Sequence, residues 1–175
     1  MPYGLFSIGM LRPPRLAAAS ALLLPALLLP GCSVRKVAVN SLANALAAGG
    51  DTYATDDDPE LVAAAIPFGL KTMEALLAET PKHDGLLLAA SSGFTQYAFA
   101  FVQAEADYVE EKDLARATAL RARARRLYAR SLRYGVRGLE ARHPGFEAGL
   151  RDEGRRGATL AAATKADVPL LYWTG

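Results

Sequence analysis

Apolar residues recur along the chain at helical rather than alternating spacing, and no stretch alternates long enough to read as a strand. An uncharged run over 16–29 is interrupted only by Ser20 and Pro25. Residues 34–48 predict an Ala/Leu-rich helix closed by Gly49-Gly50. After the polar stretch DTYATDDD, Asp58 is a natural N-cap, Pro59 an N1 proline and Glu60 a first-turn acid. Val62, Ile66, Leu70, Met73 and Leu77 then share a face, and Pro67 inside this helix is expected to kink it. A longer helix is predicted over 84–111, with Leu87, Ser91, Phe94, Tyr97, Phe101, Glu105 and Tyr108 on one face. Another over 112–142 sets Leu114, Ala117, Leu120, Ala124, Leu127, Ser131, Tyr134 and Gly138 against an opposite side of Arg116, Arg123, Arg126, Arg130, Arg133 and Arg137. His143-Pro144-Gly145 ends it. Short Gly- and Ala-rich pieces follow, and a new helix opens near Asp167 with Pro169 in its first turn. That last helix falls short of the usual three turns, so the reading expects a truncated chain with further helices downstream.

Composition narrows the class. A chain of 175 residues that is 51% apolar and 22% charged is neither disordered nor long enough for two large catalytic domains. A single cysteine excludes an intramolecular disulfide framework and a multi-cysteine zinc site. The formal net charge of +2 argues against a general nucleic-acid binder. The charge is nonetheless segregated. Residues 33–111 carry 4 basic and 12 acidic side chains, and residues 112–175 carry 14 basic and 6 acidic ones. Such separation either neutralises within the molecule or steers it toward an acidic partner or another copy.

The beginning of the chain reads as an address. Arg12 and Arg15 precede the apolar run, which is too short to cross a bilayer, and Leu29-Pro30-Gly31-Cys32 follows. Starting at Met10 leaves a signal of the usual layout. Leu-x-Gly-Cys resembles the lipobox of bacterial lipoproteins, although Pro30 is unusual at its position. The resemblance implies a signal peptide over 1–31 and a Cys32 that carries lipid on its sulfur and its new amine. Two or more acyl chains anchor a protein firmly without spanning the membrane. Ser33, where an Asp favours inner-membrane retention, points toward the outer membrane, with the mature protein on the periplasmic side. Residues 32–58 then hold the lipidated cysteine, the first helix and the acidic loop, and 59–175 a helical domain.

The two outer helices end on Pro81 and Pro144, 63 residues apart and close to two tetratricopeptide periods of about 34. The fold expected is all-α, a tetratricopeptide-like α-solenoid of degenerate hairpins, with an antiparallel bundle as the alternative. The segments DDDPELVAAAIPFGLKTMEALLAETP, GLLLAASSGFTQYAFAFVQAEAD, LRYGVRGLEARHPGF and DVPLLYWTG resemble the TatT family, the lipoprotein T component of TRAP transporters. The likeness runs over about 38–175, and SGFTQYA and PLLYWTG are its most distinctive pieces. The resemblance implies a periplasmic, membrane-anchored helical protein, a ring-like homotrimer with a central pore, and a soluble TRAP substrate-binding protein as partner. It also implies delivery of a small apolar or organic-acid ligand, and it carries neither catalytic residues nor a cofactor.

Phe94, Gln96, Tyr97 and Phe101 are the candidate ligand channel, because a polar side chain among aromatic ones can orient a carboxylate or amide in an apolar pocket. The same aromatic spacing also suits a plain core face. Arg123, Arg126 and Arg130 are the candidate partner-binding face. Ser91-Ser92-Gly93 lacks the Gly-x-Ser-x-Gly pattern of a nucleophile elbow and reads as a close helix contact. Asp56-Asp57-Asp58 lacks the spaced ligands of a calcium loop, and His83 and His143 read as surface residues without metal spacing. The expected function is a transport accessory, not an enzyme. The alternative is an envelope lipoprotein that acts as an assembly scaffold through the arginine face.

Overall fold

The computed structural model describes residues 31–49, 53 and 55–175, and among these residues every regular element is helical. The signal-peptide reading therefore lies outside the described residues except at its last position. Contacts divide the chain into Met1–Ala38 and Val39–Gly175. In the first unit the described backbone is the opening of helix α1 (Gly31–Ala48), which includes Cys32. The second unit holds the rest of α1 and all later elements.

Local chemistry sets the helix starts. In α2 (Pro59–Glu79) the Asp58 carboxylate accepts from the Glu60 and Leu61 amides at 3.1 and 2.9 Å, satisfying donors that have no partner within the helix. The helix passes through Pro67 without a break. His83 caps α3 (Asp84–Tyr97) by accepting from the Leu86 amide at 3.2 Å. Asp113 caps α5 (Leu114–Arg142) by accepting from the Arg116 amide. Gly145, at φ 87°, takes the left-handed turn that closes α5 and opens α6 (Phe146–Arg151). A short α7 (Glu153–Ala161), a 3₁₀ turn at Lys165–Asp167 and α8 (Val168–Thr174) complete the chain.

The helix expected over 84–111 is not one α-helix. Between α3 and α4 (Ala104–Val109) lies a π-helix, Ala98–Gln103, in which the Ala104 amide reaches the Phe99 carbonyl five residues back. The wider turn shifts the buried seam. Leu87, Ser91 and Phe94 face the core as expected, but the seam continues through Ala98, Val102 and Ala106. Tyr108, predicted on that face, is 74% exposed instead. Small residues meet small residues here, because α5 presents Ala117 and Ala124 to this region.

The most extensive helix contact joins α3 to α5. The larger core cluster combines Ala43 of α1, Leu70, Met73 and Leu77 of α2, and Leu86, Leu87, Ala90 and Phe94 of α3. A second cluster joins Leu139, Phe146 and Leu170, so α8 docks on the end of α5. It can do so because Gly138 has no side chain: a Cβ there would lie 2.7 Å from a Leu170 methyl. The close contact expected at Ser91 is also present. Ser91 and Ser131 are buried and exchange hydroxyl-to-carbonyl bonds across α3 and α5 at 3.2 and 2.6 Å.

Candidate functional site

A cleft of about 380 Å³ opens between α1, α2, α3 and the last turn of α8. Leu46 and Ala47 of α1, Ile66, Leu70 and Met73 of α2, and Leu88 and Ala89 of α3 form apolar walls. Trp173 contributes a ring. Polar groups are few: Tyr53, Ser92 and Gln96. Glycines let the cleft walls approach closely. Gly93 brings α3 so near α2 that a Cβ would lie 2.9 Å from a Leu70 methyl, and the Tyr53 hydroxyl lies over Gly69. An apolar hollow with a few polar groups is the usual form of a small-molecule site. It suits a ligand with an apolar body and one polar end.

The four residues expected to line one channel are divided between two flanks of the helix. Gln96 is exposed and lies on the cleft wall. Phe94, Tyr97 and Phe101 lie elsewhere. Phe94 is buried and stacks on Tyr134 of α5, with ring centroids 5.8 Å apart. Tyr97 packs against Phe101. Two of the three arginines expected to face a partner lie on these rings: Arg130 is 5.3 Å from the Phe94 centroid and Arg123 is 5.7 Å from that of Tyr97. Arg123 also donates to the Tyr97 hydroxyl at 3.2 Å. Arg126 is exposed. The structure thus brings candidate arginines onto candidate channel aromatics and leaves Gln96 on the other flank.

Glu74 of α2 bridges the arginine flank. It accepts from the Tyr134 hydroxyl at 2.8 Å and from Lys71 at 2.6 Å, with Arg130 at 3.5 Å. Burial opposes its ionisation, but these hydrogen bonds and charges together hold its pKa below the ordinary value. Burial, and then the bond to Glu74, push the Tyr134 hydroxyl up to about 12.

His143, read from sequence as a surface residue, is half-buried. Its Nε2 lies 2.9 Å from the carboxylate of Asp167, which is 1% exposed. The same carboxylate accepts from the Thr164 amide and hydroxyl, each at 2.8 Å, and from Arg142 at 3.0 Å. The Thr164 amide leads these bonds in depressing the Asp167 pKa far below the usual carboxylate range, against the effect of burial. Arg142 also pairs with Asp84 at the start of α3 and donates to the Ala166 carbonyl at 2.7 Å. The cluster fastens the turn before α8 to α3 and α5, and so holds Trp173 at the cleft. Sequence reasoning saw Asp167 only as a helix start. Thr164, three residues before it, stands at capping-box spacing, but His143 and Arg142 lie 24 and 25 residues away, and no spacing rule joins them.

Comparison with known proteins places this architecture. Residues 55–175 match the TRAP transporter T-component family. The chain belongs to that family. An uncharacterized protein of Treponema pallidum (strain Nichols) is 37% identical over 165 residues, a match covering 85% of this chain and 51% of that protein. The chain thus spans about half the length of the curated relative it matches. The family match takes in most of the cleft, the arginine flank and the Asp167 cluster, so these features belong to the T-component part of the chain. It makes the protein a member of a transport-accessory family.

Proposed function

We propose that the protein is the periplasmic, lipid-anchored accessory of a TRAP-type transport system. Cys32 carries the anchor, and the helices form a tetratricopeptide-like repeat scaffold that assembles as a homotrimer. The scaffold docks a soluble TRAP substrate-binding protein and receives or hands over a small apolar or organic-acid ligand. The cleft holds the ligand's apolar body against Ile66, Met73 and Leu88, and Gln96 bonds its polar end. The observation that carries this reading is an apolar cleft with few polar groups in a chain of the T-component family.

The test joins partner capture to ligand recovery. Full-length protein purified from envelope extracts is expected to bring down a TRAP substrate-binding protein and to carry a small molecule visible by native mass spectrometry. Ala89→Phe fills the cleft wall and is expected to remove the small molecule while the helical circular dichroism persists. Failure to recover either binding protein or ligand rejects the reading.

A further inference from the structure

Helix α5 carries arginines along its whole length, and all but Arg125 fall into two groups. Near its ends each guanidinium finds carboxylates. Arg116 reaches Glu105 at 2.8 Å, and Arg121 reaches Asp107 at 2.9 Å and Glu110 at 2.6 Å. Arg142 holds Asp84 and Asp167. Between them Arg123, Arg126, Arg130, Arg133 and Arg137 recur every three or four residues and so form one stripe, about 21 Å long at 1.5 Å per residue.

The described carboxylates give this stripe one ion pair, and a shared one. Arg130 has Glu74 at 3.5 Å, but that carboxylate already accepts from Lys71 and Tyr134. Among the described residues, Arg126 and Arg133 have no carboxylate within ion-pair reach. Arg123, Arg130 and Arg137 lie instead over Tyr97, Phe94 and Tyr134, at 5.7, 5.3 and 5.4 Å from the ring centroids. A ring restrains a guanidinium without taking up most of its N–H donors. Less side-chain entropy is then lost when a carboxylate arrives.

We propose that this stripe is the docking surface for an acidic face of the TRAP substrate-binding protein, a refinement that rests on the transport reading above. Charge complementarity supplies the argument: among the described residues the aligned Arg126 and Arg133 have no carboxylate within ion-pair reach, while Arg116, Arg121 and Arg142 toward the ends are paired. The planar guanidinium pairs bidentately with carboxylates. An anionic membrane is a poorer fit. The rings here lie beneath the guanidiniums rather than outside them, the reverse of the apolar face that a bilayer takes up.

The experiment titrates the TRAP substrate-binding protein of the same system onto the immobilised full-length protein at low and high salt. The variants are Arg126→Glu with Arg133→Glu, and Arg125→Glu as an exposed arginine outside the stripe. The proposal expects wild-type binding that weakens with salt, a loss of at least about tenfold in the double variant, and less than about twofold in the control. If the double variant's melting curve is disturbed, Arg126→Ala with Arg133→Ala replaces it, with a loss of about threefold expected. Wild-type binding that neither variant nor salt alters overturns the stripe and leaves the transport reading standing. No wild-type binding sinks both. Binding to phosphatidylglycerol vesicles that the double variant abolishes, with partner binding unaffected, assigns the stripe to a membrane and overturns the proposal.

Discussion

The two flanks of α3 differ more than their one-residue separation in sequence suggests. Gln96 borders a hollow walled by aliphatic side chains, and Tyr97, the next residue, lies under a guanidinium. On the first flank, a hollow remains among small and aliphatic side chains. On the second, rings fill the space and arginines cover the rings. The contrast shows that an aromatic stripe on a helix need not line a ligand site. Here the rings serve the core and position charge, and the opening lies where side chains are small.

Substitutions can test that division, beginning with the largest effect. Phe94→Ala removes a buried ring stacked on Tyr134 and covered by Arg130, and should cost about 3–5 kcal/mol in urea unfolding. If the flanks are independent, ligand retained by the folded fraction should not change.

Asp167→Asn should cost about 2–3 kcal/mol, because Arg142 and His143 lose a buried anion. Trp173 is the single tryptophan, so its fluorescence should shift to the red as the turn before α8 loosens. The folded-state pKa of Asp167 is depressed, so its contribution is present above the ordinary value of about 3.9 and declines as pH falls below it. Wild type should therefore lose stability more steeply than the variant below about pH 4.

Gln96→Leu leaves the apolar walls intact and removes one donor and acceptor. Ligand affinity should fall by about fivefold, corresponding to one hydrogen bond of about 1 kcal/mol, with the melting temperature unchanged. The smallest effect belongs to Arg126→Ala, which should alter unfolding free energy by less than about 0.5 kcal/mol, since Arg126 is exposed and unpaired among the described residues. A larger loss would show that the stripe supports the fold.

What sequence could reveal follows the range of the forces involved. Asp58 with Pro59 and the turn ahead of Pro169 both mark helix starts, because capping is settled within a few residues. The seam of α2 was legible for the same reason: one face was buried at one unbroken period. Gln96 was legible as a polar residue among aromatic ones, but its separation from them was not, since the side of α3 facing a cleft depends on where α1 and α2 stop.

The sequence by itself determined an all-helical chain, the boundaries of its main helices, the separation of its charges and its likeness to the T-component family. Only the structure decided the π-turn, the burial of Asp167 beside His143, and which arginines on α5 pair with described carboxylates. Capping and periodicity act within one or two turns, whereas the Asp167 cluster and the pairing of the arginines depend on groups brought together from distant segments. Arg142 and Asp84, for example, are 58 residues apart. Local propensity has no access to such separations until packing has closed them.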